Sequence, residues 1–182
     1  MTVFQVVFGL AVFSITREYY NHEPENVSAS STVIRQQPSL ASPDGFTETN
    51  PAQINASTFD AITIQDPAEI SRQAFEFFDS RQYDRAADLY RRLLVLDPNN
   101  VDTYNNLGLT LHYLGRSTEA LGKLNEGVAV DATYQRIWLT LGFVNSQLGN
   151  SELARAALTT AVKMGSDNAV GQSAIKMLEN LP

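Results

Sequence analysis

The 182-residue chain has no cysteine, two histidines, one tryptophan and only thirteen lysines and arginines. Each scarcity removes a class of function. Without cysteine there is no disulfide, no thiolate nucleophile and no acylated lipoprotein cysteine, so redox chemistry places the chain on neither side of a membrane. His22 and His112 stand far apart, and His112 has no histidine or carboxylate three or four residues away, which leaves no metal-ligand spacing and no base beside a nucleophile. There is no glycine-rich phosphate loop and no G-x-S-x-G. The expectation is a protein that is not an enzyme and has no cofactor, no metal and no catalytic residue. The shortage of basic residues gives a formal net charge of −7, against a nucleic-acid partner. Residues 1–66 hold two arginines against seven acids, and residues 67–182 eleven basic residues against thirteen acids.

Long apolar runs are also scarce. Val3 to Ile15 is apolar on every helical face, a pattern for a membrane or signal segment rather than a surface helix. At about 1.5 Å per residue it reaches roughly 20 Å, short of the ~30 Å hydrocarbon core, so a span would need flanking residues or a thinner bilayer. No Lys or Arg precedes it, and Val27-Ser28-Ala29 lies too far downstream for signal cleavage. Residues 1–20 are therefore read as a hydrophobic membrane anchor, with a signal segment and a helix buried in protein as alternatives. Residues 21–66 turn to Ser, Thr, Pro, Asn and Gln without a period of 3.6 or 2, the composition of a disordered linker with a reach of about 35–40 Å. This lysine-free acidic stretch is easy to translocate, so an exported, periplasmic repeat domain is expected. Arg17 alone would argue for the cytoplasmic side.

What the chain has in abundance is self-similarity. Ala86, Ala120 and Ala154 are 34 residues apart, and at other fixed offsets stand Ala74, Gly108 and Gly142, then Tyr90, Leu124 and Leu158. The second and third copies carry Tyr104-x-x-Leu107-Gly108 and Trp138-x-x-Leu141-Gly142, and the first closes with Asp97-Pro98-Asn99-Asn100. A period of this length signals a solenoid of helix pairs. The pattern resembles the tetratricopeptide repeat family, over residues 67–100, 101–134 and 135–168. The expected fold is an all-α superhelix of seven helices, with residues 169–182 as a capping helix whose stripe is Val170, Ala174, Met177, Leu178 and Leu181. Gly127 stands where the family has Ala, Asn145 where it has an aromatic, and Ala132 and Ser166 where it has Pro. These departures are expected to cost local stability.

In this family the first helix of each pair lines a concave groove. At its ninth position the three repeats place Phe75, Leu109 and Phe143, which would draw an exposed apolar stripe, widened by Phe78 and Leu139. Asn105, Asn106, His112 and Arg136, with Asp102, would form a polar rim that fixes a peptide backbone and reads charge. The alternative is that the stripe is ordinary packing between repeats. The resemblance implies a protein-binding adaptor or scaffold taking an extended or helical segment of another protein, and the apolar segment in residues 1–20 would tether it to a membrane. A structural subunit or homodimer using the same surface is the second reading. A clamp for a C-terminal carboxylate is disfavoured, because Ser71, Phe75 and Thr140 replace its Lys, Asn and Arg, leaving Asn106 and Arg136. The linker carries its own apolar cluster, Phe59, Ile62 and Ile64, as an internal competitor for the groove.

Overall fold

The computed structural model describes residues 66–182. The hydrophobic segment, the linker up to Gln65 and the cluster at Phe59, Ile62 and Ile64 lie outside the described residues. Within them the chain forms seven α-helices and no strand: α1 (Pro67–Asp79), α2 (Tyr83–Leu96), α3 (Val101–Tyr113), α4 (Ser117–Val130), α5 (Gln135–Gln147), α6 (Ser151–Met164) and α7 (Ala169–Glu179). The first helices of the pairs start at 67, 101 and 135 and the second at 83, 117 and 151. Every pair is thus an exact 34-residue translation in sequence.

Local chemistry sets these boundaries. Asp66 accepts from Ala68 N at 3.0 Å ahead of Pro67, Asn100 from Thr103 N at 2.9 Å, and Asn168 from Gly171 N at 2.9 Å. Each satisfies a backbone donor that the first helical turn leaves open. Tyr134 holds the equivalent place before α5 and makes no such cap. The turns between paired helices also repeat: Gln82 N bonds Phe77 O, Arg116 N bonds Leu111 O and Asn150 N bonds Asn145 O. This closure needs a left-handed residue, supplied by Gly115 and Gly149 at φ 78° and by Arg81 at φ 60°.

Small residues at the eighth position let paired helices touch. A Cβ added to Gly108 would lie 2.5 Å from Leu124 Cγ, and one added to Gly142 2.5 Å from Leu158 Cγ. In the first pair Ala74 is tolerated and Tyr90 takes the place of Leu124. Gly127 corrects an expectation: rather than a weak substitute for Ala, it sits where a Cβ would fall 2.7 Å from that of Tyr104 and 2.5 Å from Ile137 Cδ1. Glycine is what lets α4 approach its neighbours there.

The core runs through the stack, from Ile70 and Ala74 through Leu107, Leu111 and Leu124 to Ile137, Leu158 and Ala161. The helix α7 packs on α6 and α5, burying Ala174 and Met177 with Val170, Leu178 and Leu181 partly buried beside them. Gln172, Lys176 and Glu179 face solvent. The corner is fixed by Gln135, whose side chain donates to Ala161 O and Gly165 O, both at 2.7 Å, and accepts from Asn168 Nδ2 at 2.8 Å.

Candidate functional site

The sequence placed nine residues on the inner face of the stack, and α1, α3 and α5 carry all of them. Their exposure differs from the expected open trough. Phe75 and His112 are half-buried. Leu109, Leu139 and Phe143 are 1%, 0% and 3% exposed and belong to the apolar core, and Phe78 and Arg136 are each 6% exposed. The exposed stripe is therefore corrected to one that is buried at Leu109 and Phe143 and reaches solvent only at half-buried Phe75. The reason is visible in the rings: the Phe143 ring meets His112 edge-on at 5.3 Å and Tyr113 at 6.4 Å. A side chain at the ninth position of a 3.6-residue helix lies between two faces, and α3 and α5 are in direct contact, so Phe143 leans onto the preceding repeat instead of standing in solvent.

Phe78 is diverted in the same way. Its ring packs edge-on against Tyr83 at 5.4 Å and Tyr113 at 5.7 Å, and Tyr83 stacks on Tyr113 at 5.3 Å. With His112 and Phe143 these rings form one cluster across all three repeats. Burial, with Tyr83 beside it, pushes the Tyr113 hydroxyl up to about 12. Burial also holds the His112 imidazole below its ordinary 6.5, and its Nδ1 lies 3.0 Å from Ser117 Oγ.

The polar rim is a connected chain. Asn105 Nδ2 donates to Asn106 Oδ1 at 3.3 Å, Asn106 Nδ2 to Asp102 Oδ2 at 3.4 Å, and Arg136 pairs with Asp102 at 3.2 Å. Tyr134 donates its hydroxyl to the same carboxylate. Asp102 and Arg136 stand at the same offset in adjacent repeats and neutralise each other with side chains 21% and 7% exposed. They were expected to read a ligand's charges. Instead they join α3 to α5. Tyr134 was missed, although the sequence marked it as the one residue in the Asp66, Asn100 and Asn168 series unable to cap a helix.

One atom in this chain of amides is unmatched. Asn105 is fully buried, and its Oδ1 is the single buried side-chain polar atom among the described residues without a hydrogen-bond partner. Such an acceptor costs about 1–3 kcal/mol unless something supplies a donor. Exchanging oxygen and nitrogen would set it against Asn106 Oδ1, so the orientation follows from the neighbouring amide. Among the described residues no group of three or more His, Cys, Asp or Glu is placed to hold a metal.

Comparison with known proteins agrees with this architecture. A family model described as "TPR repeat" matches residues 76–115, and one described as "Tetratricopeptide repeat" matches residues 135–168. The chain is a tetratricopeptide-repeat protein. It is 31% identical over 104 residues to DnaJ homolog subfamily C member 7 of Mus musculus, a match covering 57% of this chain and 21% of that protein. The chain thus spans about a fifth of that relative's length. Among solved structures, its fold is similar to the type III secretion translocator chaperone SycD of Yersinia enterocolitica, with TM-score 0.61, 19% identity, and coverage of 69% of this chain and 96% of that one. It is also similar to the first TPR of Spaghetti (RPAP3) bound to an HSP90 peptide, with TM-score 0.56, 20% identity, and coverage of 63% and 92%.

Proposed function

We propose that this tetratricopeptide-repeat chain is a non-enzymatic protein-interaction module that seats a polypeptide segment of a partner on the inner face of α1, α3 and α5. The observation that carries the reading is the unpartnered Oδ1 of Asn105, buried beside Asn106 on α3. A backbone N–H of an extended segment is the donor it lacks; because Asn105 is fully enclosed in the free protein, that contact requires side chains over it to shift on binding, and Asn106 beside it offers a second amide. Leu109, Leu139 and Phe143 hold the platform beneath, while half-buried Phe75 and His112 border it. Capture of a peptide by the fold neighbour with the HSP90 peptide supports the general mode. A carboxylate clamp is a poorer fit here, because Arg136 is paired with Asp102 and Thr140, where the clamp has Arg, is buried and bonds Arg136 O at 3.2 Å.

Residues 1–20 are proposed to tether the module to a membrane, with the repeats on the exported side. No helix among the described residues is long and apolar enough to cross one, so the tether rests on the apolar sequence from Val3 to Ile15. The test of the binding reading is Asn105→Leu. The substitution removes the unmatched acceptor but also the donor to Asn106 Oδ1, two effects of opposite sign, so urea stability should change by less than about 2 kcal/mol while partner co-purification is abolished. A loss of stability above about 2 kcal/mol would make the amide a structural group and remove the reading's support.

A further inference from the structure

The eleventh position of the first helix of each pair (the A helices α1, α3 and α5) holds Phe77, Leu111 and Asn145. Leu111 is fully buried. Asn145 is shorter and is drawn back onto its own repeat, its Nδ2 donating to Leu141 O at 2.9 Å and its Oδ1 accepting from Asn150 Nδ2 at 3.2 Å. Beside it a cleft of 280 Å³ opens between α4, α5 and α6, bounded by Leu121, Asn125, Trp138, Leu153 and Thr160. It shares no residue with the inner-face set. Its wall carries no charged side chain, in a chain of net charge −7.

We propose that this cleft is a second docking site, separate from the inner face, which takes one uncharged aromatic side chain, tyrosine first, from a polypeptide partner. The lining selects against charge, since an ion placed among Leu121, Trp138 and Leu153 would lose hydration without gaining a counter-charge. With the Asn145 amide held by Leu141 O and Asn150, the groups left for a ligand are the exposed Asn125 amide and the Thr160 hydroxyl oxygen, which donates to Ala156 O at 2.9 Å and can still accept, a sparse polar set among apolar walls that matches a ring bearing one polar atom. The open side decides between a polypeptide and a free small molecule. Leu153 on the lip is 61% exposed, so a small ligand would remain half in water, whereas a partner's backbone lying across Leu153 covers both lip and anchor.

Trp138 is the only tryptophan of the chain, so its indole N–H, which donates to Ala132 O at 2.8 Å, gives one NMR signal from a ring that lines the cleft. Titrating the full chain with N-acetyl-tyrosine amide should shift that signal saturably in the millimolar range, while N-acetyl-aspartate amide leaves it in place. Asn145→Leu, which restores the side chain found in repeat two, should abolish the response, and Leu153→Ser should weaken it at least threefold. p-Cresol, the side chain alone, should bind more weakly than the blocked residue and be indifferent to Leu153→Ser. A linear, unsaturated shift, or an equal response in Asn145→Leu, overturns the site, and p-cresol binding as tightly as the blocked tyrosine overturns the polypeptide assignment. If Asn145→Leu fails to fold, unchanged affinity in Leu153→Ser overturns it instead.

Discussion

Arg81 shows how the repeat can be obeyed by backbone and disobeyed by side chain. It takes the left-handed conformation that Gly115 and Gly149 take 34 and 68 residues later, at a cost of about 1–2 kcal/mol for a residue with a Cβ. Arg81→Gly should therefore stabilise the domain by about 1 kcal/mol in urea unfolding, less than the full strain because glycine also loosens the unfolded chain. Gly149→Ala should cost a similar amount. The sequence advertised the two glycine turns and hid the third, because residue type does not report φ. His112 gives a pH dependence with a definite sign. Its folded-state pKa lies below 6.5 through burial, so the unfolded chain binds the proton more readily. The resulting stability is fully present above the unfolded pKa and is lost as pH falls through the lower folded value. Unfolding midpoints should drop between pH 7.5 and pH 5, and His112→Gln should reduce that drop. An unaltered slope would mean the imidazole contributes nothing to it.

At the scale of elements, the 34-residue register made the helices legible before any coordinates, since apolar positions, small eighth residues and turn signals all recur in phase. The inner face was less legible. A side chain at the ninth position lies on the border between two helix faces, so the distance between neighbouring A helices decides whether Phe143 points into solvent or onto His112. The spacing of Asp102 and Arg136, one repeat apart at the same offset, signalled a pair between repeats as much as two ligand-reading charges. Asn105 was named as a rim residue, but its unmatched oxygen depends on the neighbouring amides and not on residue type. The close approach of α5 and α6 yields a prediction at this scale: Gly142→Ala places a Cβ 2.5 Å from Leu158, and should cost about 1–3 kcal/mol with helical content unchanged at low temperature. Deleting residues 169–182 removes the helix that packs on α5 and α6, and should lower both melting temperature and solubility. Unchanged melting would show that α7 does not act as a cap.

At the scale of the whole molecule, the stack as proposed offers partners two surfaces of different chemistry: the inner face with its chain of amides, and the uncharged cleft between repeats two and three. The proposed tether supplies the third part. Removing residues 1–20 should release the protein from a membrane fraction with its helical circular dichroism retained, and a full-length chain already soluble without detergent would contradict the anchor. The competitor segment at Phe59, Ile62 and Ile64 predicts that a chain starting at Pro67 binds a partner more tightly than one starting at Asn21, by the effective concentration that the linker imposes. The most direct test of the interaction claim is site-specific photo-cross-linking in the native host. A photoreactive side chain replacing Phe75, at the border of the inner face, is compared with one replacing exposed Asp88 on α2. The account predicts a discrete adduct with one partner polypeptide from position 75, absent from position 88 and lost when Asn105→Leu is added. No adduct at 75, or the same adducts from both positions, would contradict it.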